Sequence, residues 1–186
     1  PLCAIFMFIG IFDNVVIYSL LLKRRHSSNI ILGGISGGMP VLIGYSAITT
    51  PETSWLTAVL MSALVIIWIP AHIWSLALYF KEQYKKVNVP MLTAVQSEKT
   101  SARVIAVSTV VMVLFSIAPF FIITESGENM VGGVYLWTAI ASGALMLALS
   151  IWVIVKPIEN ASWTLFKFSS PYLAVLFIAL MVDSAL

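Results

Sequence analysis

Long apolar runs separated by short polar connections make up most of the 186-residue chain. A helix that crosses a bilayer needs about 20 apolar residues at about 1.5 Å each. Six runs reach that length: 2–22, 30–49, 55–80, 103–124, 131–155 and 164–185. Segments such as AVLMSALVIIWIPAHIWSLALYF are apolar on every face, whereas strands of a membrane barrel alternate apolar and polar positions. The pattern predicts an all-α, polytopic transmembrane helix bundle that forms a single domain over residues 1–186.

Composition supports the same class. Hydrophobic residues make up 60% of the chain and charged residues 10%, with a mean hydropathy of +1.01. Soluble domains average about 45–50% apolar and about 25% charged residues. The single cysteine, Cys3, excludes an internal disulfide. Because Pro1 comes first and no charged segment precedes the first apolar run, we expect no signal peptide and a piece of a longer protein.

The basic residues occupy alternate connections between the apolar runs. They are Lys23, Arg24, Arg25, Lys81, Lys85, Lys86, Lys99, Arg103, Lys156 and Lys167, and the other connections carry only Glu52, Glu125 and Glu128. Since basic loops stay on the cytoplasmic side, we expect a multi-pass protein of the cell membrane with both termini external. The cytoplasmic loops are then 23–29, 81–102 and 156–163. For Lys99, Lys156 and Lys167, the alternative is that they only determine the orientation of the protein in the membrane.

A basic, polar segment precedes a glycine-rich run in YSLLLKRRHSSNIILGGISGGMP. Lys23, Arg24 and Arg25 end one apolar run, and Asn29 begins the next. Guanidinium forks, an ammonium group and an amide at a membrane surface suit an anionic diphosphate, although anionic lipid head groups use the same charges. The glycines are more simply explained as a face for close helix packing.

Ionisable residues at membrane depth are costly, and each is a candidate functional residue. His72 lies about 12 Å from the end of its run at helical rise. Pro70, two residues earlier, favours a kink. Trp68 and Trp74 on either side predict a pocket wall, and the alternative is a histidine bonded to a neighbouring helix.

The two aspartates of the chain lie in the first and last apolar runs. Asp13 is about 15 Å below Lys23 at helical rise, and it is either functional or an anchor between helices. Asp183 lies near the expected external surface, where a carboxylate needs no special role.

Three stretches resemble the protoheme IX farnesyltransferases, or haem O synthases, of the UbiA superfamily of intramembrane prenyltransferases. They are YSLLLKRRHSSNIILGGISGGMPVLIGY, WIPAHIWSLALYFKEQYKKVNVPML and LFKFSSPYLAVLFIALMVD. The resemblance implies a nine-helix bundle in which the six runs are helices four to nine. It also implies transfer of the farnesyl group of farnesyl diphosphate to a vinyl group of haem b. The products are haem O, which is needed by terminal oxidases, and diphosphate.

The resemblance further implies roles for individual residues. The catalytic residues are Lys23, Arg24, Arg25 and Glu82, and the substrate-binding residues are Tyr18, Asn29, His72, Trp74, Tyr84, Lys85 and Lys86. His72 and Trp74 are expected to contact the porphyrin, and Glu82 is expected to bind Mg²⁺ weakly. The Asp-Tyr motif usual in this family reads Gln83-Tyr84 here, and the first acidic motif, N-x-x-x-D-x-x-x-D, is absent from the sequence. We therefore expect the 186-residue chain alone to be inactive.

The expected partners are farnesyl diphosphate, haem b and the lipid bilayer, with Mg²⁺ as cofactor. Haem-handling or oxidase-assembly proteins are further candidates, and no nucleic acid is expected. The nearest alternative is a relative that prenylates a quinone precursor or another lipid acceptor. A secondary transporter would also carry broken helices, but residues 1–80 and 103–186 show no convincing internal repeat. A purely structural subunit would need neither His72 nor Asp13.

Overall fold

The computed structural model describes residues 1–49, 54–124, 127–156 and 159–186. Nine α-helices follow one another in these residues: α1 Leu2–Phe12, α2 Asn29–Leu32, α3 Ile35–Ile48, α4 Leu56–Tyr79, α5 Lys81–Lys86, α6 Leu92–Val95, α7 Glu98–Ile117, α8 Gly133–Val155 and α9 Glu159–Asp183. A π-helical segment, Asp13–Leu22, continues α1, and a short 3₁₀ helix, Ala118–Phe121, continues α7.

Six helical rods in the described residues are long and apolar enough to cross a membrane. They are Leu2–Leu22, Asn29–Ile48, Leu56–Tyr79, Glu98–Phe121, Gly133–Val155 and Asn160–Asp183. Each coincides with one of the six apolar runs, which confirms the predicted all-α, polytopic bundle. Glu52 and Glu125 lie outside the described residues. We call the end of the bundle that carries residues 23–29, 81–97 and 156 the basic end.

Helix α4 is the central element. It packs against α3 on one side and against α7 and α9 on other sides. Helix α8 packs against both α7 and α9. The ring formed by α4, α7, α8 and α9 encloses the main core, which includes Tyr135, Met146 and Tyr172. The Tyr172 hydroxyl donates to Ser116 Oγ at 2.8 Å, so this buried phenol is satisfied. Helix α1 packs on α3, and this pair therefore joins the ring through α3 and α4.

The second rod is interrupted by a turn about one helical turn from its start. Helix α2 ends at Leu32, and α3 begins at Ile35 after a turn at Gly33 and Gly34. The Asp13 side chain, only 3% exposed, accepts a hydrogen bond from the Ser36 N–H at 2.8 Å. A carboxylate that accepts from the first turn of a helix satisfies an otherwise orphaned donor. Asp13 is therefore an anchor between helices, one of the two roles that its depth allowed.

Asp183 has the same role at the other end of the chain. Its carboxylate accepts hydrogen bonds from the N–H groups of Val134 at 3.1 Å and Tyr135 at 2.8 Å, in the first turn of α8. A Cβ at Gly132 would lie 2.7 Å from the Asp183 carboxyl carbon, so glycine leaves the space that this contact needs. The expectation that Asp183 has no special role was wrong, because it caps α8.

The fourth rod begins at Glu98 rather than at the predicted position 103. Ser97 caps it, with Oγ accepting from the Thr100 N–H at 3.2 Å. Lys99 and Arg103 therefore lie in the first turns of α7 instead of in a loop. The rest of the predicted loop forms α5, α6 and short links at the basic end. The predicted loop 156–163 is likewise too long, because α9 begins at Glu159 rather than at 164 and Lys167 lies within it.

Candidate functional site

A cavity of about 340 Å³ opens between the first rod, the broken second rod and α4. Its lining residues are Asn14, Tyr18, Ile30, Gly33, Gly34, Ser36, Gly37, Ile69, Ile73, Leu76, Tyr84 and Met91. Tyr84 and Met91 belong to the connection at the basic end, so this connection covers the cavity. The break between α2 and α3 places backbone groups of the turn on the wall. The deeper lining is apolar, with isoleucines and a leucine from α4.

The basic segment lies where the first rod ends at this cavity. The Lys23 ammonium is 5.6 Å from the centre of the Tyr18 ring, a cation–π distance that places a cation beside the cavity wall. Arg24 and Arg25 are exposed, and neither forms an ion pair with a carboxylate of the described residues. Three cations are thus available to an anion at the membrane surface.

Asn29 joins the basic segment to the covering connection. Its side chain is fully buried, and Nδ2 donates to the Lys23 carbonyl at 3.3 Å and lies 3.7 Å from Met91 Sδ. The Asn29 Oδ1 atom is buried without a hydrogen-bond partner among the described residues. Burial on these contacts makes Asn29 a residue that positions Lys23 and Met91, and its unpaired oxygen can accept from a ligand or a water.

Glu82 and the lysines of α5 lie on the exposed surface of the same connection. The Glu82 carboxylate accepts from the Lys85 ammonium at 2.8 Å. This hydrogen bond, and then the positive charge of Lys85, lower the pKa of Glu82 below its ordinary value. Lys86 is exposed. Tyr84, in contrast, turns inward to the cavity, so the connection separates into a charged outer face and an inner lining.

A magnesium site is not assembled by the described residues. They contain no group of three or more His, Cys, Asp or Glu side chains close enough to hold a metal ion. Glu82 is paired with Lys85, and Asp13 is engaged by Ser36. Mg²⁺ prefers several oxygen ligands in octahedral geometry. The donor set of the described residues therefore does not fit a complete magnesium site.

His72 lies on the face of α4 that contacts α9. Its ring is sandwiched between Trp68, at a centroid distance of 4.2 Å, and Phe166, at 4.5 Å. The Nδ1 atom is 2.6 Å from Ser169 Oγ, and the Trp68 indole N–H donates to the Ser169 carbonyl at 2.8 Å. The rings of Trp163 and Tyr79 extend this aromatic wall, and the Lys167 ammonium lies 5.7 Å from the Trp163 centroid.

Trp74 faces a different part of the bundle. It is only 4% exposed, and its indole nitrogen has no hydrogen-bond partner among the described residues. It lines a second cavity of about 280 Å³ between α4 and α7 with Ile31, Ile66, Ile67, Pro70, Val107, Ser108 and Val111. The structure thus brings Trp68, but not Trp74, to His72. The second cavity is almost wholly apolar.

Several contributors to these sites were missed from the sequence. Ser169 and Phe166 hold His72, although they lie about a hundred residues away in the chain. Gly33 admits Tyr18, because a Cβ there would lie 2.7 Å from the Tyr18 Cβ. The glycine-rich pattern marked a close approach, but no signal in the sequence identified its partner.

Comparison with known proteins gives the family. A profile of the UbiA prenyltransferase family matches residues 1–180. A protein named protoheme IX farnesyltransferase 2, from Cenarchaeum symbiosum (strain A), is 63% identical over 98% of this chain and 59% of the relative. Proteins named protoheme IX farnesyltransferase from Desulforudis audaxviator (strain MP104C) and Thermoplasma volcanium are 48% and 43% identical. They match 98% and 97% of the chain and 55% and 60% of their own lengths.

The chain therefore spans about 55% to 60% of the length of these three relatives. No solved structure matches it. A profile match to residues 1–180, together with six membrane-spanning rods, leads to one conclusion. The chain belongs to the UbiA prenyltransferase family.

Proposed function

We propose that this chain is part of a protoheme IX farnesyltransferase and binds both farnesyl diphosphate and haem b. The observation that carries the proposal is the cavity whose wall residue Tyr18 lies beside the Lys23 ammonium, with Arg24 and Arg25 next along the chain, in a protein whose relatives bear that name. A substrate with an anionic head and a long isoprenoid tail needs this combination of cations at the surface and apolar walls below it.

The basic segment is proposed to bind the diphosphate. Charge-assisted hydrogen bonds from lysine and arginine to phosphate oxygens are among the stronger polar contacts in proteins. Arg24 and Arg25 have no carboxylate partner in the described residues, so binding an anion breaks no ion pair there. Asn29 holds the Lys23 backbone, and Tyr18 contacts the Lys23 ammonium from below. These contacts keep the cation at the mouth of the cavity before substrate arrives.

The proposed reaction forms one carbon–carbon bond and one carbon–oxygen bond to water, and it breaks the allylic carbon–oxygen bond, the vinyl π bond and one O–H bond of that water, whose proton the released diphosphate accepts. As the allylic C–O bond breaks, its electron pair leaves with the diphosphate, whose growing charge the cations stabilise. The vinyl π electrons of haem b form the new bond to the farnesyl carbon. Water then adds to the remaining vinyl carbon and loses a proton, which leaves the hydroxyl group of haem O. The apolar lining excludes other water from the allylic cation.

Aromatic rings on the face of α4 next to the cavity-lining Ile69 and Ile73 are proposed to stabilise that cation. Trp68 and Tyr79 lie on the aromatic wall, and a ring face contributes about 0.5–2 kcal/mol to a cation in contact with it. Trp74 is not part of this group, because it lines the separate cavity between α4 and α7. That second cavity suits apolar tails, whether isoprenoid or lipid.

Magnesium is the cofactor expected from the family, whose members generally use it to bind diphosphate. Glu82 is proposed to bind the Mg²⁺ ion weakly in this chain, and to do so it would have to release its ion pair with Lys85. Since the donor set does not fit a complete site, the cations of the basic segment carry the charge neutralisation described above. Further carboxylates are expected in the part of the relatives that this chain does not match.

The basic end is proposed to face the cytoplasm of a cell-membrane protein, because basic loops remain on that side. In a Cys3→Ser background, single cysteines replacing Ser28 and Ser97 are expected to react with a membrane-impermeant reagent only from the cytoplasmic side. A cysteine replacing Asn129, at the opposite end, is expected to react from outside. Reversed labelling would contradict both the orientation and the cytoplasmic diphosphate site.

Product analysis tests the activity. Membranes that contain this chain joined to the portion of the Cenarchaeum symbiosum relative that it does not match are supplied with haem b, farnesyl diphosphate and Mg²⁺. We expect haem O from this extended protein and none from the 186-residue chain alone. Haem O formation by the chain alone would refute the expectation of inactivity. Prenylation of a quinone precursor in place of haem b would refute the proposed acceptor.

A further inference from the structure

The hydrogen-bond geometry around Ser169 determines which nitrogen of His72 carries the proton. Ser169 Oγ lies 2.7 Å from the Phe166 carbonyl and 2.6 Å from His72 Nδ1. A carbonyl oxygen only accepts, and a serine hydroxyl has one hydrogen to donate. The hydroxyl therefore donates to the carbonyl and accepts from His72, since the opposite arrangement would press two oxygen lone pairs together. His72 is thus the tautomer with its proton on Nδ1.

This tautomer leaves a lone pair on Nε2. Within the described parts of the chain, Nε2 has no hydrogen-bond partner, and the residue is only partly buried. A histidine that merely joins two helices needs only the bond it already makes through Nδ1. The free nitrogen on the opposite side of the ring is therefore unexplained by packing.

The ring is also fixed in direction. Trp68 covers one face with an interplanar angle of 22°, and Phe166 packs at 31°. Trp68 is itself held to the Ser169 carbonyl, so one serine residue fixes both the imidazole and the ring stacked on it. Ligands of metals are held in this way, with Nδ1–H bonded to an oxygen and Nε2 directed to the metal.

We infer that His72 Nε2 is an axial ligand to the iron of the haem acceptor, with Ser169 as its positioning residue. This inference rests on the proposed function, which makes haem b the substrate. An isolated metal ion does not explain the site, because the described residues contain no group of three or more His, Cys, Asp or Glu side chains that could hold one. A porphyrin supplies the equatorial ligands itself and needs only an axial one from the protein.

The aromatic wall beside His72 suits the macrocycle. Phe166 stacks at 5.3 Å on Trp163, which stacks at 4.8 Å on Tyr79, with interplanar angles of 23° and 25°. Flat rings along α4 and α9 present an apolar surface that runs from His72 towards the basic end. Iron ligation would fix where the vinyl groups lie relative to the diphosphate.

Haem titration of the purified 186-residue protein in detergent micelles tests the inference. The probes are ferric haem b and iron-free protoporphyrin IX, and the readouts are the absorption and electron paramagnetic resonance spectra. We expect a histidine-ligated iron spectrum for the wild type, retained in His26→Ala and lost in His72→Ala. His26 is the matched control, because it is the other histidine, is exposed, and its side chain bonds only to Ser28 in the described residues.

Two further measurements separate ligation from packing. Protoporphyrin IX, which lacks iron, is expected to bind wild type and His72→Ala with affinities within about twofold, and added imidazole is expected to restore the ligated spectrum in His72→Gly. Ser169→Ala is expected to keep the ligated spectrum but to weaken haem binding by about 10-fold, as for other groups that orient a metal ligand.

An unchanged iron spectrum in His72→Ala would overturn the inference. So would an equal loss of haem and protoporphyrin binding without rescue by imidazole, which would show a packing role. Absence of haem binding by the wild type would also overturn it. None of these results decides the proposed activity, which is judged separately by haem O formation in the extended protein.

Discussion

Replacement of Gly33 by alanine tests the close contact that shapes the candidate diphosphate cavity. An alanine Cβ at this position would lie 2.7 Å from both Cβ and Cδ2 of Tyr18 and 2.9 Å from the Asn29 carbonyl oxygen. Ordinary van der Waals contact begins near 3.4 Å. A side-chain Cβ and a backbone oxygen are not flexible ends that can rotate away. The first rod and the broken second rod must therefore move apart.

The size of the effect follows from that geometry. Inserting one carbon atom into a well-packed site costs about 1–3 kcal/mol. The movement would also displace Tyr18, which packs under the Lys23 ammonium. We therefore expect Gly33→Ala to lower the free energy of unfolding by about 1–3 kcal/mol and to weaken binding of farnesyl diphosphate.

Gly44→Ala is the matched control. Gly44 lies in α3 of the same rod, and a Cβ built there meets nothing within 4 Å. Alanine in a helix interior is about 0.5–1 kcal/mol more favourable than glycine, so this variant is expected to be unchanged or slightly more stable. Unfolding in mixed micelles measures stability, and equilibrium binding of radiolabelled farnesyl diphosphate measures the site. Equal stability and equal binding for the two variants would refute the close-contact argument.

Three further predictions concern charged residues. Asp13→Ala is expected to lower the free energy of unfolding by about 0.5–2 kcal/mol, because it leaves a helix N–H without its acceptor. Asp13→Asn keeps an acceptor oxygen and should lose less stability, and equal losses for the two variants would exclude a capping role. Arg24→Ala or Arg25→Ala is expected to raise the KM for farnesyl diphosphate in the extended protein by roughly 10- to 100-fold. This corresponds to about 1.5–3 kcal/mol for a charge-assisted contact. An equal rise in the KM for haem b would indicate misfolding instead. The hydrogen bond from Lys85 lowers the pKa of Glu82, so the small contribution of this pair to stability is present at neutral pH and is lost as the pH falls through that lowered pKa. If Glu82→Gln were still less stable than the wild type in acid, this expectation would be contradicted.

The helical rods could be predicted from sequence because length and apolarity alone determine what can cross a bilayer. The bounds agree within a few residues except at the starts of two helices. The Ser97 cap extends α7 to Glu98, and α9 begins at Glu159, in both cases before the predicted apolar run. Hydrophobicity does not report such a cap, although Ser97 followed by Glu98 is a recognisable helix-start signal. Charged residues at a helix start can thus be mistaken for a loop.

The placement of individual side chains was less predictable. His72 and Trp74 are two residues apart, which turns them about 200° from each other around a helix. That relation was available from the sequence, and it places the two rings on different faces of α4. The pairing of His72 with Ser169 was not available, because it depends on how α4 and α9 pack.

The break between α2 and α3 supports a functional site independently of any relative. Backbone that leaves the helical path at membrane depth loses internal hydrogen bonds, and hydrocarbon offers no replacement. Such a segment is tolerated where protein satisfies its polar groups or where it lines a cavity. Here Asp13 accepts from Ser36, and Gly33 and Gly34 line the cavity beside the basic segment. A bundle that needed only to span the membrane would be more stable with a continuous second rod and an apolar residue in place of Asp13. The cost of the break is therefore explained by the cavity it opens.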